Sequence, residues 1–401
     1  MKILMLHNRY LVPGGEDQST AAEAALLTEH GCQVELLEED NRRIESLGKV
    51  RTAARTLWSS ESFQRILARL QQGGFDVLHV QNFFPLWSPS VYYAAARSGV
   101  PVVQTLRNYR LLCLNAYLFR DHHVCEDCLG RAVPWSGIRH ACYRESRAGS
   151  IVLASMIGLH KFMGTWNKKV QTYIALTDFA RDKYIAGGLP AEKIVVKPNF
   201  VHPSPLPGAG GGDYALFVGR LSGEKGINTM LEAWKTAGSA MPLKIVGDGP
   251  CVEQVKAVAA AFPSVEWLGR RSPEEVLDLM RRAEFLVFPS EWYEGMPRTI
   301  IEAFAVGTPV IASNIGAGAS MVADGETGFH FPPADVAALR RRVEWCSENV
   351  QEIRRLREAA RKTFAARYAG PANAEMLLAI YRRARESLRR HSEQTQAMKR
   401  A

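Results

Sequence analysis

Residues 217–234 read FVGRLSGEKGINTMLEAW and set two cations, Arg220 and Lys225, on either side of a short turn. A strand pattern ends at Gly219 and a helix pattern opens at Gly226, so the turn feeds a helix whose first N–H groups lack intrahelical partners. Cations beside such N–H groups form an anion site, and a diphosphate is the natural guest. An Arg and a Lys on a loop are otherwise ordinary surface charges; the strand–loop–helix position is what favours a site. A second segment, residues 285–313, reads FLVFPSEWYEGMPRTIIEAFAVGTPVIAS and carries Glu294 and Glu302 through apolar surroundings. Pro297 suits the first position of a helix, Gly307 its stop, and Pro309 lies beyond it. Glu294 then belongs to the loop before the helix and Glu302 to its second turn. Carboxylates accept strongly from sugar and ribose hydroxyls, and the free N–H groups of Gly295 and Met296 suit a phosphate.

A third candidate is LVPGGEDQST, residues 11–20, where Gly14 and Gly15 allow close backbone approach to a ligand. Two glycines are equally compatible with a plain tight turn, but they follow the first strand pattern directly. The spacing is not G-x-G-x-x-G, which counts against a dinucleotide-dependent dehydrogenase. No two aspartates are spaced D-x-D. Negative charge developing on a leaving diphosphate is therefore expected to be met by fixed cations and a helix N-terminus, with no cofactor required for catalysis.

These loops need strands and helices to aim them. KILMLHN, CQVELLEE, DVLHVQN, PVVQTL, TYIALTD and KIVVKPN read as strands in the first half, and YALFVGR, LKIVGDG, VEWLG, FLVFPS, TPVIAS and GFHF in the second. They are near-continuous apolar runs, as parallel strands covered on both faces require. Helical patterns lie between them, among others at 17–30, 60–70, 226–238, 251–261, 273–282, 297–306 and 335–347. The alternation predicts an α/β fold of two Rossmann-like domains, each a doubly wound parallel sheet, facing a cleft. The first spans 1–200 with an irregular cysteine-rich insertion at 107–145, and the second spans 214–367. Between them VHPSPLPGAGGGD, residues 201–213, packs three prolines and four glycines into thirteen residues and reads as a flexible linker. A helical, arginine-rich tail covers 368–401.

At 401 residues, 47% of them hydrophobic, the chain is long enough for two cores. No apolar run approaches a membrane span, MKILMLHN is too short for a signal peptide, and a cytoplasmic protein is expected. The formal net charge of +9 suits anionic partners. A nucleic-acid or scaffold role would use that charge, but no basic–aromatic recognition motif supports it. In SIVLASMIGLHKFMGTWNKK the apolar residues recur at helical spacing and end in Trp166, Lys168 and Lys169. This is either a core helix with a basic end or, together with Arg42, Arg43, Lys49, Arg51 and Arg55, a surface for peripheral association with anionic membrane at the inner face. Cys113, Cys125, Cys128 and Cys142 form C-x11-C-x2-C-x13-C, a set compatible with a structural zinc. Free thiols, an iron–sulfur cluster and a redox disulfide remain alternatives.

GRLSGEKG, VGDGP and the E-x7-E of Glu294 and Glu302 ahead of GTPVIAS resemble the retaining glycosyltransferases of the GT-B fold, the large family four. The resemblance runs from the first strand to about residue 370. It implies that Arg220 and Lys225 hold a donor diphosphate, that Glu294 lies against the donor sugar, and that Glu302 binds the ribose. It also implies that Gly14 and Gly15 approach the phosphates, that Gly247 belongs to the donor-binding face, and that the tail crosses back onto the first domain. A nucleotide-diphosphate sugar and a glycan or lipid-linked acceptor are the implied partners, in surface polysaccharide or glycolipid assembly. The family commonly has histidine where this sequence has Arg107. Arginine cannot act as a base near neutral pH, so either the histidine's role is dispensable or Arg107, with Asn108, reads the acceptor. A GT-B epimerase would need acid/base residues, and a phosphorylase a cofactor lysine, for which the sequence offers no clear candidates.

Overall fold

The computed structural model of the protein describes residues 1–11, 14–237 and 241–400. It divides into two compact units, one made of Met1–Leu118, Cys125–Lys197 and Asn373–Ala401, the other of Phe119–Val124 and Pro198–Ala372. Each is built on a six-stranded, wholly parallel sheet, so the expected α/β class and the two Rossmann-like sheets are present.

In the first unit the strands are β1 (Lys2–Arg9), β2 (Gln33–Asp40), β3 (Val77–Val80), β4 (Val102–Leu106), β7 (Thr172–Ala175) and β8 (Ile194–Val196), ordered β2-β1-β3-β4-β7-β8. The short hairpin β5 (Phe119–Arg120) and β6 (His123–Val124) sits within the insertion, which also contains a helix at Trp135–Arg139. The second unit uses β9 (Ala215–Val218), β10 (Leu243–Val246), β11 (Val265–Gly269), β12 (Phe285–Phe288), β13 (Val310–Ser313) and β14 (Gly328–Phe331), ordered β11-β10-β9-β12-β13-β14. Side chains alternate across a sheet. Ala215 and Phe217 of β9 accordingly join one core with Ile227, Leu231 and Trp234, while Leu216 joins another with Ile300, Ile301 and Phe304. Two cores on opposite faces are what a doubly wound sheet requires. Strand order reverses between β9 and β12, and an open α/β sheet forms its ligand crevice at that switch point, outside the carboxyl ends of the strands. The loops leaving β9 and β12 are the two segments singled out above.

One expectation is corrected. Residues 201–213 form no helix or ladder, yet they are no loose tether: Gly208, Gly210 and Gly212 donate their N–H groups to the carbonyls of Val306, Arg281 and Arg282. A Cβ on Gly208 would stand 2.3 Å from the Arg281 carbonyl oxygen. Glycine here lets the strap lie flat against its own unit. At Trp166 the core reading of its segment holds. The helix Arg147–Phe162 stops, Gly164 turns with φ 68°, and Trp166 is buried on a separate short helix.

The tail forms the helix Gly370–Arg400. Leu377, Ile380, Tyr381 and Ala384 pack with Ile3, Met5, Val77, Val103 and Ile174, completing one face of the first sheet. Arg385 pairs with Asp76 at 3.0 Å.

Candidate functional site

The strongest cluster in the second unit lies at the ends of β9 and β12. After β9 the chain makes a 3-10 turn, Gly223–Lys225, and Gly226 adopts φ +70° before the helix Ile227–Ala237 begins. A Cβ on Gly226 would sit 1.9 Å from the Pro289 carbonyl oxygen. The loop is therefore pressed onto the end of β12, which brings Lys225 to Glu294, 69 residues away. Lys225 Nζ donates to Glu294 Oε1 at 2.5 Å and lies 5.6 Å from the Trp292 ring. Ser290 Oγ and Trp292 Nε1 donate to the same carboxylate oxygen at 3.0 and 3.1 Å. Glu294 is only 7% exposed, so a carboxylate taken out of water is met by a cation and two neutral donors. A second buttress stands beside it: Thr229 Oγ1 donates to Glu291 at 2.6 Å, and the Glu291 N–H to the Glu224 carbonyl at 2.9 Å.

Substituting Gly226→Ala is expected to displace this turn. A left-handed backbone costs an L-residue roughly 1–2 kcal/mol, and the clash with Pro289 adds to it. The expected result is a lower urea midpoint together with nucleoside-diphosphate binding weakened about tenfold or more, both read in one titration series. Unchanged binding would separate the turn from the site.

The other residues of the sequence reading take distinct places. Arg220 is exposed at the end of β9, and its guanidinium has no ion-pair partner among the described residues. Gly247 follows β10 with φ +142°, and a Cβ there would meet the Gly219 carbonyl oxygen at 1.9 Å. Gly249, which sequence reasoning passed over, packs on the Leu221 carbonyl in the same way. Both let the VGDGP loop lie against the loop of Arg220, and Leu221 N–H donates to the Asp248 carbonyl at 2.9 Å. Pro297 proves to be the N-cap rather than the first residue of the helix Arg298–Val306; Gly307 closes that helix with φ +81°. No described residue accepts the N–H groups of Gly295 or Met296, while Met296 Sδ accepts the Asn199 N–H at 3.1 Å. Glu302 lies in the second turn, 3.5 Å from Arg298. Burial pushes its carboxyl above the ordinary value, Arg298 opposing. The two glutamates thus hold different partners and present two separate acceptors.

In the first unit, Gly14 caps the helix Gly15–Glu29, and no atom lies within 4 Å of a Cβ built on either glycine. Residues 12 and 13 of that loop lie outside the described residues. Gly14 N–H already donates to Asp17 at 2.8 Å, and Asp17 meets His7 Nε2 at 2.9 Å.

Arg107 is not a free acceptor reader. It is buried, lies 3.0 Å from Glu23, and donates to Gln81 Oε1 at 2.9 and 2.7 Å. Lys197 Nζ lies 2.9 Å from the other Glu23 oxygen and donates to Asn373 Oδ1 at 2.7 Å. His79 bridges Tyr381 Oη at 2.7 Å and Thr105 Oγ1 at 2.8 Å. A buried polar cluster therefore ties the carboxyl ends of β3, β4 and β8 to the C-terminal helix. Burial would raise the Glu23 carboxyl, but Lys197 and Arg107 outweigh it and hold it at about 2. Burial draws the His79 imidazole down to about 4. Asn108 is likewise engaged, donating to Glu16 at 2.9 Å and Tyr10 Oη at 3.3 Å. Nothing local in the sequence marks Glu23, Gln81 or Lys197, because the pairing arises from four separated elements.

Cys32, Cys113, Cys128, Cys251 and Cys346 are free thiols. Among the described residues no three His, Cys, Asp or Glu side chains are grouped to hold a metal ion. Cys113 Sγ is turned onto Asn115 Oδ1 at 2.9 Å. Burial pushes the Cys128 thiol up to about 11, and the thiols of Cys113, Cys142 and Cys125 push the same way. The four thiols of the C-x11-C-x2-C-x13-C set thus act on one another, and metal analysis of anaerobically purified protein tests the structural-zinc reading. The basic set is also thinner than its sequence suggests. Arg42 pairs with Asp40, Arg43 with Glu39 and Glu61, and Arg55, buried, with Glu61.

With this geometry in hand, the likeness to known proteins is specific. Residues 204–363 match the family model described as glycosyl transferases group 1, and residues 14–199 match that of the glycosyl transferase 4-like domain. The chain belongs to the group 1 glycosyltransferases. Within that family, it is 36% identical over 143 residues to the D-rhamnosyltransferase WbpZ of Pseudomonas aeruginosa, covering 35% of this chain and 37% of that protein. It is 29% identical over 211 residues to a phosphatidyl-myo-inositol mannosyltransferase of Mycobacterium leprae, covering 50% and 55%. The matches thus span well under two thirds of these curated relatives. The fold is GT-B. A glycosyltransferase from Rickettsia africae superposes with a TM-score of 0.69 at 17% identity, covering 96% of this chain and 98% of that one. HepE from Anabaena, solved in complex with UDP, gives 0.65 at 18% identity, covering 94% and 98%. Among the described residues no helix is long and apolar enough to cross a membrane.

Proposed function

We propose that this group 1 glycosyltransferase moves a sugar from a nucleoside-diphosphate donor to a hydroxyl of a glycan or lipid-linked acceptor, with retention of configuration, in surface polysaccharide or glycolipid assembly at the cytoplasmic membrane face. The observation that carries the reading is the Lys225–Glu294 pair held at the switch point of the second sheet, with Arg220 on the adjoining loop. Lys225, Arg220 and the unbonded N–H groups of Gly295 and Met296 meet the diphosphate charge. Glu294 faces the sugar, and Glu302, one helical turn further, takes the ribose hydroxyls. The bond between the anomeric carbon and the phosphate oxygen breaks, and its electron pair stays on that oxygen. The acceptor hydroxyl bonds to the same face of the anomeric carbon and passes its proton to the departing phosphate. No side chain then has to act as base, which is compatible with the engaged Arg107.

The solved complexes of HepE with UDP, UDP-glucose, and UDP with glucose support the donor class by analogy of fold. Thermal melting against nucleoside diphosphates and their sugars tests the reading. A saturating diphosphate at a hundred times its Kd stabilises by about 2.7 kcal/mol, read as a raised Tm, and one base is expected to stand out. No shift with any nucleoside diphosphate would refute the donor site.

A further inference from the structure

Resting on that reading, we propose that a cavity between the helices Lys49–Leu57 and Arg147–Phe162 of the first unit takes the hydrocarbon chain of a phosphate-linked lipid acceptor. The cavity has a volume of about 390 Å³, within the range of small-molecule sites, roughly 300–1,000 Å³. Ile44, Val50, Ala53, Phe84, Val152 and Leu153 line it, so its walls are mostly apolar.

Its surroundings point to an anionic, membrane-borne ligand. Lys49 and Arg144 also line the cavity, and both are exposed. Together with Arg51 and Arg147 they have no carboxylate partner among the described residues, against Glu45 and Glu145 nearby in sequence. Arg147 stands in the first turn of its helix, where a cation opposes the helix dipole, so helix stability does not explain it. Along the same helix, Arg147–Phe162, and at the residue after it, Ile151, Leu159, Phe162 and Met163 stand in solvent, Phe162 at 91% exposure. Val50, on the facing helix, is 83% exposed. Three large apolar side chains along one helix and a fourth just after it, with cations that have no carboxylate partner near the helix start, suit an anionic lipid surface. A cavity lined by the exposed Val50 and by Val152, next in sequence to Ile151, suits one chain of a lipid drawn from that surface.

Alkyl phosphates of rising length, kept below their micelle concentrations, test the assignment by calorimetry without any membrane. Each buried methylene strengthens binding about four-fold, so affinity is expected to climb from hexyl to octyl to decyl phosphate and to level off when the cavity is full. Val152→Trp, which fills the cavity, is expected to abolish this dependence while the rise in Tm with the stabilising nucleoside diphosphate stays unchanged. Ala53→Phe gives the same test should the first variant fail to fold. Lys49→Glu with Arg144→Glu is expected to weaken decyl phosphate about tenfold or more and to leave decanol unaffected. Equal affinity for hexyl and decyl phosphate, or a length dependence that survives both filled variants, overturns the proposal and leaves the cavity to a protein side chain. Failure of every nucleoside diphosphate to bind the wild type would instead defeat the donor reading, whatever the alkyl phosphates do.

Discussion

Glu294→Gln is expected to lower the transfer rate about 10²–10³-fold with the protein still folded, the scale seen when one preorganised electrostatic contact is lost from a reaction centre. The carboxylate is buried and receives Lys225, Ser290 and Trp292 on one oxygen. The amide keeps the shape and an acceptor oxygen but removes the charge, so Lys225 loses its counterion and the sugar its carboxylate. Lys225→Ala acts on the other partner. It is expected to raise the KM for the nucleotide sugar as well as to lower kcat, because the diphosphate loses a cation already present in the ground state. Steady-state kinetics on both variants, with urea denaturation of the unliganded protein as the fold control, distinguish the two effects. Wild-type kinetics in either variant would falsify the assignment of this pair.

Glu23→Gln is expected to be the most destabilising single change in the first unit. It removes the carboxylate shared by two buried cations, Arg107 and Lys197. Breaking a buried pair costs about 3–5 kcal/mol, equivalent to roughly 10 °C in Tm for a unit of this size. Urea denaturation measures it, and a loss below about 1 kcal/mol would show that the cluster is solvated in solution.

The same cluster predicts an acid limb to stability. The His79 imidazole is held at about 4, below its ordinary 6.5, so the unfolded chain takes up its proton first. Stability is then complete above about pH 6.5 and declines toward pH 4 at about 1.4 kcal/mol per unit, about 3 kcal/mol in all. Glu23, held at about 2 rather than 4.5, contributes stability that is present above pH 4.5 and lost below it. Urea midpoints at pH 8, 6.5 and 4.5 should fall only over the lower interval; equal midpoints at all three would exclude the depressed histidine.

Within the second unit the legible features were those written into contiguous residues. The strand ending at Val218, the glycine-bounded turn around Lys225, and the helix closed by Gly307 all follow from local pattern and backbone freedom. Gly247 could be placed near the donor loop by resemblance, but its reason emerged only from the 1.9 Å separation between its absent Cβ and the Gly219 carbonyl. The linker composition correctly excluded a helix or strand and misled on mobility, because glycine also permits a chain to lie close against carbonyls. The basic residues near 42–55 looked uniform in sequence, yet Arg42, Arg43 and Arg55 are paired while Lys49 and Arg51 are not.

The sequence by itself determined the two parallel sheets, since uninterrupted apolar strands separated by amphipathic helices can bury their surfaces in no simpler way. It also determined which loops carry anion-binding and hydroxyl-binding groups. The tertiary structure alone decided who meets whom. Placing β9 beside β12 brings Lys225 to Glu294, and folding the last helix onto the first sheet assembles Glu23, His79, Arg107 and Lys197. Such partners are tens to hundreds of residues apart, so no local period records them. Their choice follows from strand order and from the cost of leaving a buried charge alone.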